Sequence, residues 1–325
     1  MSLLEKKARA LQQLVAAQLE EICRAQEPRL LYEPVRYVLA SGGKRIRPLL
    51  VMLGAEAVGG DSRQAAHVAA AVELLHTFTL VHDDIMDQDD TRRGQPTIHA
   101  KWDVGTAILA GDGLVALAYR ALLSRPSPRL AEMARAFTEG IVEVCEGQAL
   151  DKEFETRPTV TMDAYLAMIG KKTACLLATS CHLGALVGGG QEQEVTALRT
   201  YGRHLGVAFQ IQDDLLDLLS PAAVSGKPRG SDLAQRKQSF PLVAAQSRMT
   251  AAQRQWLAAY LGRPLTAEEL NQLEEFFRSL GVVAQAEALV HDELAAARGA
   301  LAGLRHSEAV EALAELSQQL LTRAA

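Results

Sequence analysis

The sequence predicts an all-α chain, on three observations. Alanine and leucine, both strong helix formers, dominate a composition with only 5% aromatic residues. Apolar positions recur at helical spacing over runs of helix length. No stretch shows the period-two alternation of a half-buried strand clearly enough to assign one. The chain has 325 residues, 48% hydrophobic and 22% charged, which suits one large globular domain or two ordinary ones. No linker-like segment or repeat of fixed period divides it, so a single domain over residues 1–325 is expected. The formal net charge of -5 argues against nucleic-acid binding, which needs a basic face. No run of eighteen apolar residues occurs, so no membrane span is expected. Glu5, Lys6 and Lys7 interrupt any signal-peptide order. Cys23, Cys145, Cys175 and Cys181 form no C-x-x-C pair and suit buried thiols of a reducing cytoplasm.

Taken in order, residues 3–26 read as an amphipathic helix through Leu3, Leu4, Leu11, Leu14, Leu19 and Ile22. A second helix follows Pro28 and stops before Ser41-Gly42-Gly43. Gly42-Gly43-Lys44-Arg45-Ile46-Arg47-Pro48 then opens the apolar run Leu49 to Leu53. Glycines end one helix and the next begins within a few residues. Three basic residues at that N-terminus oppose the helix dipole, but they are well placed for an anion. The spacing is not that of a P-loop.

Residues 62–87 are apolar on nearly every side and should form a central buried helix. It closes on His82-Asp83-Asp84-Ile85-Met86-Asp87. On a helix, Asp83 and Asp87 lie one turn apart, about 40° round the axis. Like charges at that spacing repel, and desolvating them is costly unless a cation is present. Carboxylate-only ligands point to a hard ion, Mg²⁺ in particular where a substrate supplies phosphates. His76, seven residues before Asp83, returns to within about 20° of the same face. Glu73-x-x-His76 matches half of a di-iron motif, but no second Glu-x-x-His occurs.

Residues 88–96 read as a polar loop, with Arg92-Arg93 suited to clamping a diphosphate. Helices follow at about 104–123 and 129–155, and Thr161 is the expected N-cap of a helix carrying Gly170-Lys171-Lys172-Thr173 into an apolar run. A helix at 194–219 carries Gln210 and a second triad, Asp213-Asp214-Leu215-Leu216-Asp217. Residues 220–240 are polar, broken by Pro221, Gly226, Pro228 and Gly230, and hold Lys227, Arg229, Arg236 and Lys237; a basic lid is expected there. The remainder, 241–325, reads as helical, with a capping box at Thr266-x-x-Glu269.

Over roughly residues 41–241 this constellation resembles the trans-prenyl diphosphate synthase family. The resemblance rests on Gly43-Lys44-x-x-Arg47-Pro48, His76, Asp83-Asp84-x-x-Asp87, Arg92-Arg93-Gly94, Lys172-Thr173, Phe209-Gln210-x-x-Asp213-Asp214-x-x-Asp217, and Gly226-Lys227 through Lys237. Ser239 stands where the family more often has threonine, and the hydroxyl is kept. The resemblance implies an antiparallel helix bundle around a deep central cavity, usually a homodimer. It implies that Asp83, Asp87 and, across the pocket, Asp213 hold Mg²⁺, three ions per site when substrate is bound, with Asp84 and Asp217 in support. Arg92, Lys172, Thr173, Gln210, Lys227 and Lys237 would line an allylic diphosphate site. Lys44, Arg47, His76 and Arg93 would hold the diphosphate of isopentenyl diphosphate.

The implied reaction is ionisation of the allylic C–O bond, attack by the isopentenyl alkene and loss of a proton, with no protein nucleophile. Metal and cationic side chains neutralise the departing diphosphate, and water must be excluded from the cation. Phe78, five residues before the first triad, and Gln148-x-x-Asp151 resemble short-chain members and imply a C15–C20 product. A longer-chain (octaprenyl-type) synthase is the alternative. A class I terpene cyclase would lack the Lys44, Arg47 and His76 set, and a non-catalytic regulatory subunit should lack one triad; this chain has both.

Overall fold

A computed structural model describes residues 2–219 and 229–321, and it is all-α as the composition predicts. The helices are α1 (Leu3–Ile22), α2 (Arg29–Ala40), α3 (Ile46–Ala57), α4 (Ser62–Met86), α5 (Ile98–Lys101), α6 (Val104–Leu122), α7 (Leu130–Phe154), α8 (Met162–Ile169), α9 (Cys175–Val187), α10 (Glu192–Leu219), α11 (Ser231–Ala234), α12 (Phe240–Gln246), α13 (Ala251–Ala258), α14 (Ala267–Ser279), α15 (Val282–Leu301) and α16 (Glu308–Leu321). Among the described residues the only strands are β1 (Thr91–Arg92) and β2 (Gln95–Pro96), an antiparallel pair within the segment read as a loop. Two-residue strands are too short to show alternation, so the sequence pattern could not reveal them.

The chain packs as two compact units: residues 1–141, 176–202 and 300–316 in one, and 142–175, 203–299 and 317–325 in the other. In the first unit α4 is the central element. It packs on α6, α3 and α1. Asp61 caps its start by accepting from the Arg63 N–H. Leu74, Val72 and the run Val68 to Ala71 are fully buried, as are Leu50 and Leu53 on α3. Truncating one such leucine to alanine costs roughly 2–5 kcal/mol. The α3 and α9 backbones touch at Gly184, where an added Cβ would collide with the Val51 carbonyl oxygen. No other residue fits there.

α6 meets the length and composition of a membrane-crossing helix despite its Asp112 and Arg120. Its apolar residues Ala107, Ala110, Leu114, Leu117 and Ala118 are buried, and it packs on α4, α2 and α5 as a core helix does. All four cysteines are free thiols. Three are buried as the sequence reading expects, whereas Cys145 is exposed.

In the second unit the helix begun by Thr161 does not continue straight into α9. Thr161 caps α8 as expected, but Gly170–Ala174 winds as a π-helical turn before α9. Two glycines on other helices make room for this wider turn. A Cβ on Gly147 of α7 would collide with the Lys172 backbone nitrogen, and one on Gly206 of α10 would collide with the Ala174 Cα. The π turn is therefore clasped between α7 and α10, and it carries Lys172 and Thr173. The capping box at Thr266 and Glu269 forms as expected, and a second opens α13 through Thr250 and Gln253.

Candidate active site

The first aspartate triad sits on the C-terminal turn of α4. Gln88 takes a left-handed conformation (φ 56°) and stops the helix. The Gln88 N–H donates to the Ile85 carbonyl at 3.3 Å and the Asp89 N–H to the Asp84 carbonyl at 3.0 Å, a Schellman terminus. Three carboxylates thus stand at the negative end of a helix dipole, which disfavours them. Asp84 is buried (4% exposed) and accepts from Arg92 Nε at 2.5 Å. Asp83 and Asp87 keep partial access to solvent. The β1–β2 hairpin pairs Arg92 with Gln95 and returns Arg92 to Asp84.

Arg93 turns the other way. Its guanidinium donates to the Gly42 carbonyl and occupies the space above Gly43, where a Cβ would lie 2.7 Å away. With φ at +136°, Gly43 is doubly required. Arg45 is the left-handed N-cap of α3, so Arg47 falls in the first turn as the sequence reading places it. Arg47 donates to His76 Nε2 at 3.0 Å. His76 therefore presents a bare Nε2 there. Burial first, then Arg47 and its neighbours, hold its pKa well below the usual imidazole range. A cavity opens between Ser41 and Gly42 on one side and Glu73, His76, Arg92 and Arg93 on the other. His76, Arg92 and Arg93 line this one cavity, with Arg47 bonded to His76; the sequence reading sets Arg92 apart from the other three, in the allylic group. Lys44 lies in the adjoining loop with its side chain exposed and its carbonyl accepting from Gln12 Nε2 at 3.1 Å.

The sequence reading did not place Glu73 in this group. It is buried, 4.0 Å from Arg45 Nε, and burial raises its pKa against the pull of Arg45, Arg47 and Arg93. Its signal was the one-turn spacing to His76. It is the counter-charge that lets several cations share one pocket without ligand. Phe78 packs edge-on against His82 (ring centroids 4.7 Å apart, 66° between planes). The His82 ring in turn covers Gly111 of α6. Phe78 therefore leans toward α6, off the aspartate face, as the helical wheel indicates.

In the second unit Lys172 and Lys237 meet at one carboxylate. Asp151 Oδ2 lies 2.5 Å from Lys172 Nζ and 3.8 Å from Lys237 Nζ. Thr173 Oγ1 donates to Gln210 Oε1 at 2.7 Å, and Gln210 Nε2 donates to Asp214 Oδ1 at 2.7 Å. Lys172, Thr173, Gln210 and Lys237 are thus tied into two carboxylate networks. Lys227 lies outside the described residues.

The three aspartates of this triad differ. Asp213 is exposed. Asp214 is buried and also accepts from the Tyr165 hydroxyl at 2.7 Å and the Phe240 N–H at 2.8 Å. Burial outweighs those three donors and raises its pKa to about 6. Asp217 accepts from the Ser231 hydroxyl at 2.7 Å and the Ser231 and Asp232 N–H groups at 3.2 Å, so it anchors the start of α11. Asp151, Tyr165 and Asp214 had no assigned role of this kind in the sequence reading; burial and distant partners distinguish them.

No ready-made cage of three His, Cys, Asp or Glu side chains is present among the described residues. The donor types nonetheless suit a hard divalent ion: Asp83 and Asp87 are half-buried carboxylates at the C-terminal end of α4, and Asp213 on α10 is an exposed one. Sites of this kind leave ligand positions for water and for phosphate oxygens of a substrate.

The chain is similar to known proteins over most of its length. Residues 28–280 match the polyprenyl synthetase family. A short chain isoprenyl diphosphate synthase of Methanothermobacter thermautotrophicus is 44% identical over 300 residues, covering 91% of each chain. A geranylgeranyl diphosphate synthase of Methanosarcina mazei is 45% identical over 71% of this chain and 72% of its own. The crystal structure of geranylgeranyl pyrophosphate synthetase from Pyrococcus horikoshii superimposes with a TM-score of 0.92 at 36% identity, covering 98% of both chains. The chain belongs to the polyprenyl synthetase family and has its all-α isoprenoid synthase fold. It is a prenyl-transferring enzyme, of the family that condenses isopentenyl diphosphate with allylic diphosphates.

Proposed function

We propose that the chain is a Mg²⁺-dependent synthase that extends an allylic diphosphate with isopentenyl diphosphate to an all-trans C15–C20 product. The observation that carries the reading is the basic cavity lined by His76, Arg92 and Arg93, with Arg47 bonded to His76, on a chain that also carries two aspartate motifs. Isopentenyl diphosphate is held through its diphosphate by Lys44, Arg47, His76 and Arg93. His76, kept neutral, donates through one ring nitrogen while Arg47 fixes the other.

Asp83, Asp87 and Asp213 would hold the Mg²⁺, three ions when substrate is bound, that the allylic diphosphate needs. When bound, the metal takes up the negative charge that develops on the leaving diphosphate. Arg92, Lys172, Lys227 and Lys237 supply further positive charge to the same group. Asp151 keeps the Lys172 and Lys237 ammoniums close together until the substrate competes for them. Thr173 and Gln210, already bonded to each other, present oxygen dipoles to the allylic carbon where positive charge grows. Loss of a proton to the released diphosphate ends the cycle.

The C15–C20 length is supported by Phe78, packed edge-on against His82, and by the names of the relatives described above. Residues 1–325 act as one catalytic domain, and the family match takes in parts of both units. A homodimer is supported by Val104, Ile108 and Leu109 (49%, 45% and 42% exposed), a bare apolar stripe on α6. A cytoplasmic setting is supported by four free thiols.

The test is incubation with isopentenyl diphosphate and, separately, dimethylallyl, geranyl and farnesyl diphosphates, followed by product sizing. C15–C20 products are expected. A ladder running to C40 would overturn the length, and no product with any primer would overturn the activity.

A further inference from the structure

Asp214 belongs to the second triad but holds no accessible oxygen position comparable to Asp213. Its Oδ2 accepts from the Tyr165 hydroxyl and the Phe240 N–H, and its Oδ1 accepts from Gln210 Nε2. A carboxylate only accepts. Gln210, one turn earlier on α10, must therefore turn its amide nitrogen toward Asp214. That leaves Gln210 Oε1 facing Thr173, where it accepts the hydroxyl proton at 2.7 Å. With its proton committed, Thr173 shows lone pairs to whatever lies beyond it. Were the amide reversed, its shape would be unchanged, but Thr173 would have to accept from Gln210 and turn its proton outward.

We propose that Asp214 is a positioning residue that sets the direction of the Gln210 amide, and through it the sign of the dipole that Thr173 and Gln210 present to the allylic cation. This rests on the synthase reading above and assigns Asp214 a task distinct from metal binding. The orientation is fixed before substrate arrives, so no reorganisation is needed as charge develops.

Asp214→Asn tests the idea because it nearly preserves shape. The Phe240 N–H can only donate, so the new amide keeps its oxygen on that side and turns its –NH₂ toward Gln210. Gln210 can meet that donor only by reversing its own amide, which inverts the dipole at Thr173. The expected result is a roughly 10²-fold fall in kcat, comparable to losing one preorganised dipole. Binding of dimethylallyl S-thiolodiphosphate, measured by calorimetry with saturating Mg²⁺, should stay within about threefold, because ground-state contacts are untouched.

The reciprocal pair Asp214→Asn with Gln210→Glu keeps the summed charge and restores oxygen toward Thr173. The carboxylate that the second change introduces accepts from both the asparagine amide and the Thr173 hydroxyl. The kcat of the double variant should recover to within about tenfold of wild type. Equal loss in the single and double variants would overturn the proposal. So would a single variant whose deficit is weak analogue binding cured by excess Mg²⁺, which would make Asp214 a metal ligand. If the single variant does not fold, the double variant decides alone by the same tenfold criterion. Wild-type protein that consumes no isopentenyl diphosphate would overturn the synthase reading itself, a result separable from either of these.

Discussion

At Phe78 a single ring carries a claim about product length. It packs edge-on against His82, whose ring covers Gly111 of α6, so removing it opens space beside that ring. Phe78→Ala is expected to shift products upward by at least one isoprene unit on reversed-phase chromatography; an unchanged product ladder would remove Phe78 from the length argument. His67 makes a different residue-scale prediction. It is buried, its Nδ1 has no hydrogen-bond partner, and burial followed by the Arg125 charge lowers its pKa from 6.5 to about 4. The unfolded chain therefore binds this proton at higher pH than the folded one. Stability supplied by neutral His67 is lost as pH falls from 6.5 toward about 4, and the loss is complete below that. Asp214 shifts in the opposite sense, so the comparison must isolate His67. Urea unfolding of wild type and His67→Phe should show the stability difference moving in favour of the variant across that window. A difference independent of pH would mean that His67 does not titrate with folding.

Among the elements, the π turn at Gly170–Ala174 holds the most function in the fewest residues. A Gly147→Ala change would push a methyl into the Lys172 backbone. Overpacking of this kind costs roughly 1–3 kcal/mol. The expected outcome is a melting temperature lower by about 2–10 °C together with a disproportionate loss of activity, since Lys172 and Thr173 both shift. Thermal unfolding and initial rates on one preparation would check both. Full activity in a destabilised variant would show that the π turn's position is unimportant.

This element also shows what the sequence could and could not disclose. The helices, the Thr161 cap and the Thr266 capping box follow from local periodicity and local hydrogen bonds, so they were legible. The π turn was not, because its widening depends on Gly147 and Gly206, which lie outside it in the chain. Likewise Asp213 and Asp214 look equivalent within their motif. Only Tyr165 and Phe240, remote in sequence, bury one and leave the other accessible. Glu73 was visible beside His76, but its part as counter-charge to three arginines needed the fold.

For the whole molecule, family membership and fold agree with a chemistry in which the protein contributes charge and shape instead of a nucleophile. Both acidic motifs sit near C-terminal helix ends, α4 closing at Met86 and α10 at Leu219, where carboxylates are electrostatically disfavoured unless a cation joins them. The basic cavity beside His76 holds Glu73 as its own counter-charge, so an entering diphosphate displaces part of an existing balance. On the function proposed above, these features call for a divalent metal in ionisation of the allylic substrate. The most direct measurement is incorporation of labelled isopentenyl diphosphate with geranyl diphosphate, in Mg²⁺, in EDTA, and in EDTA followed by excess Mg²⁺. The account predicts turnover in Mg²⁺, none in EDTA and recovery on adding the metal back; undiminished turnover in EDTA would contradict it.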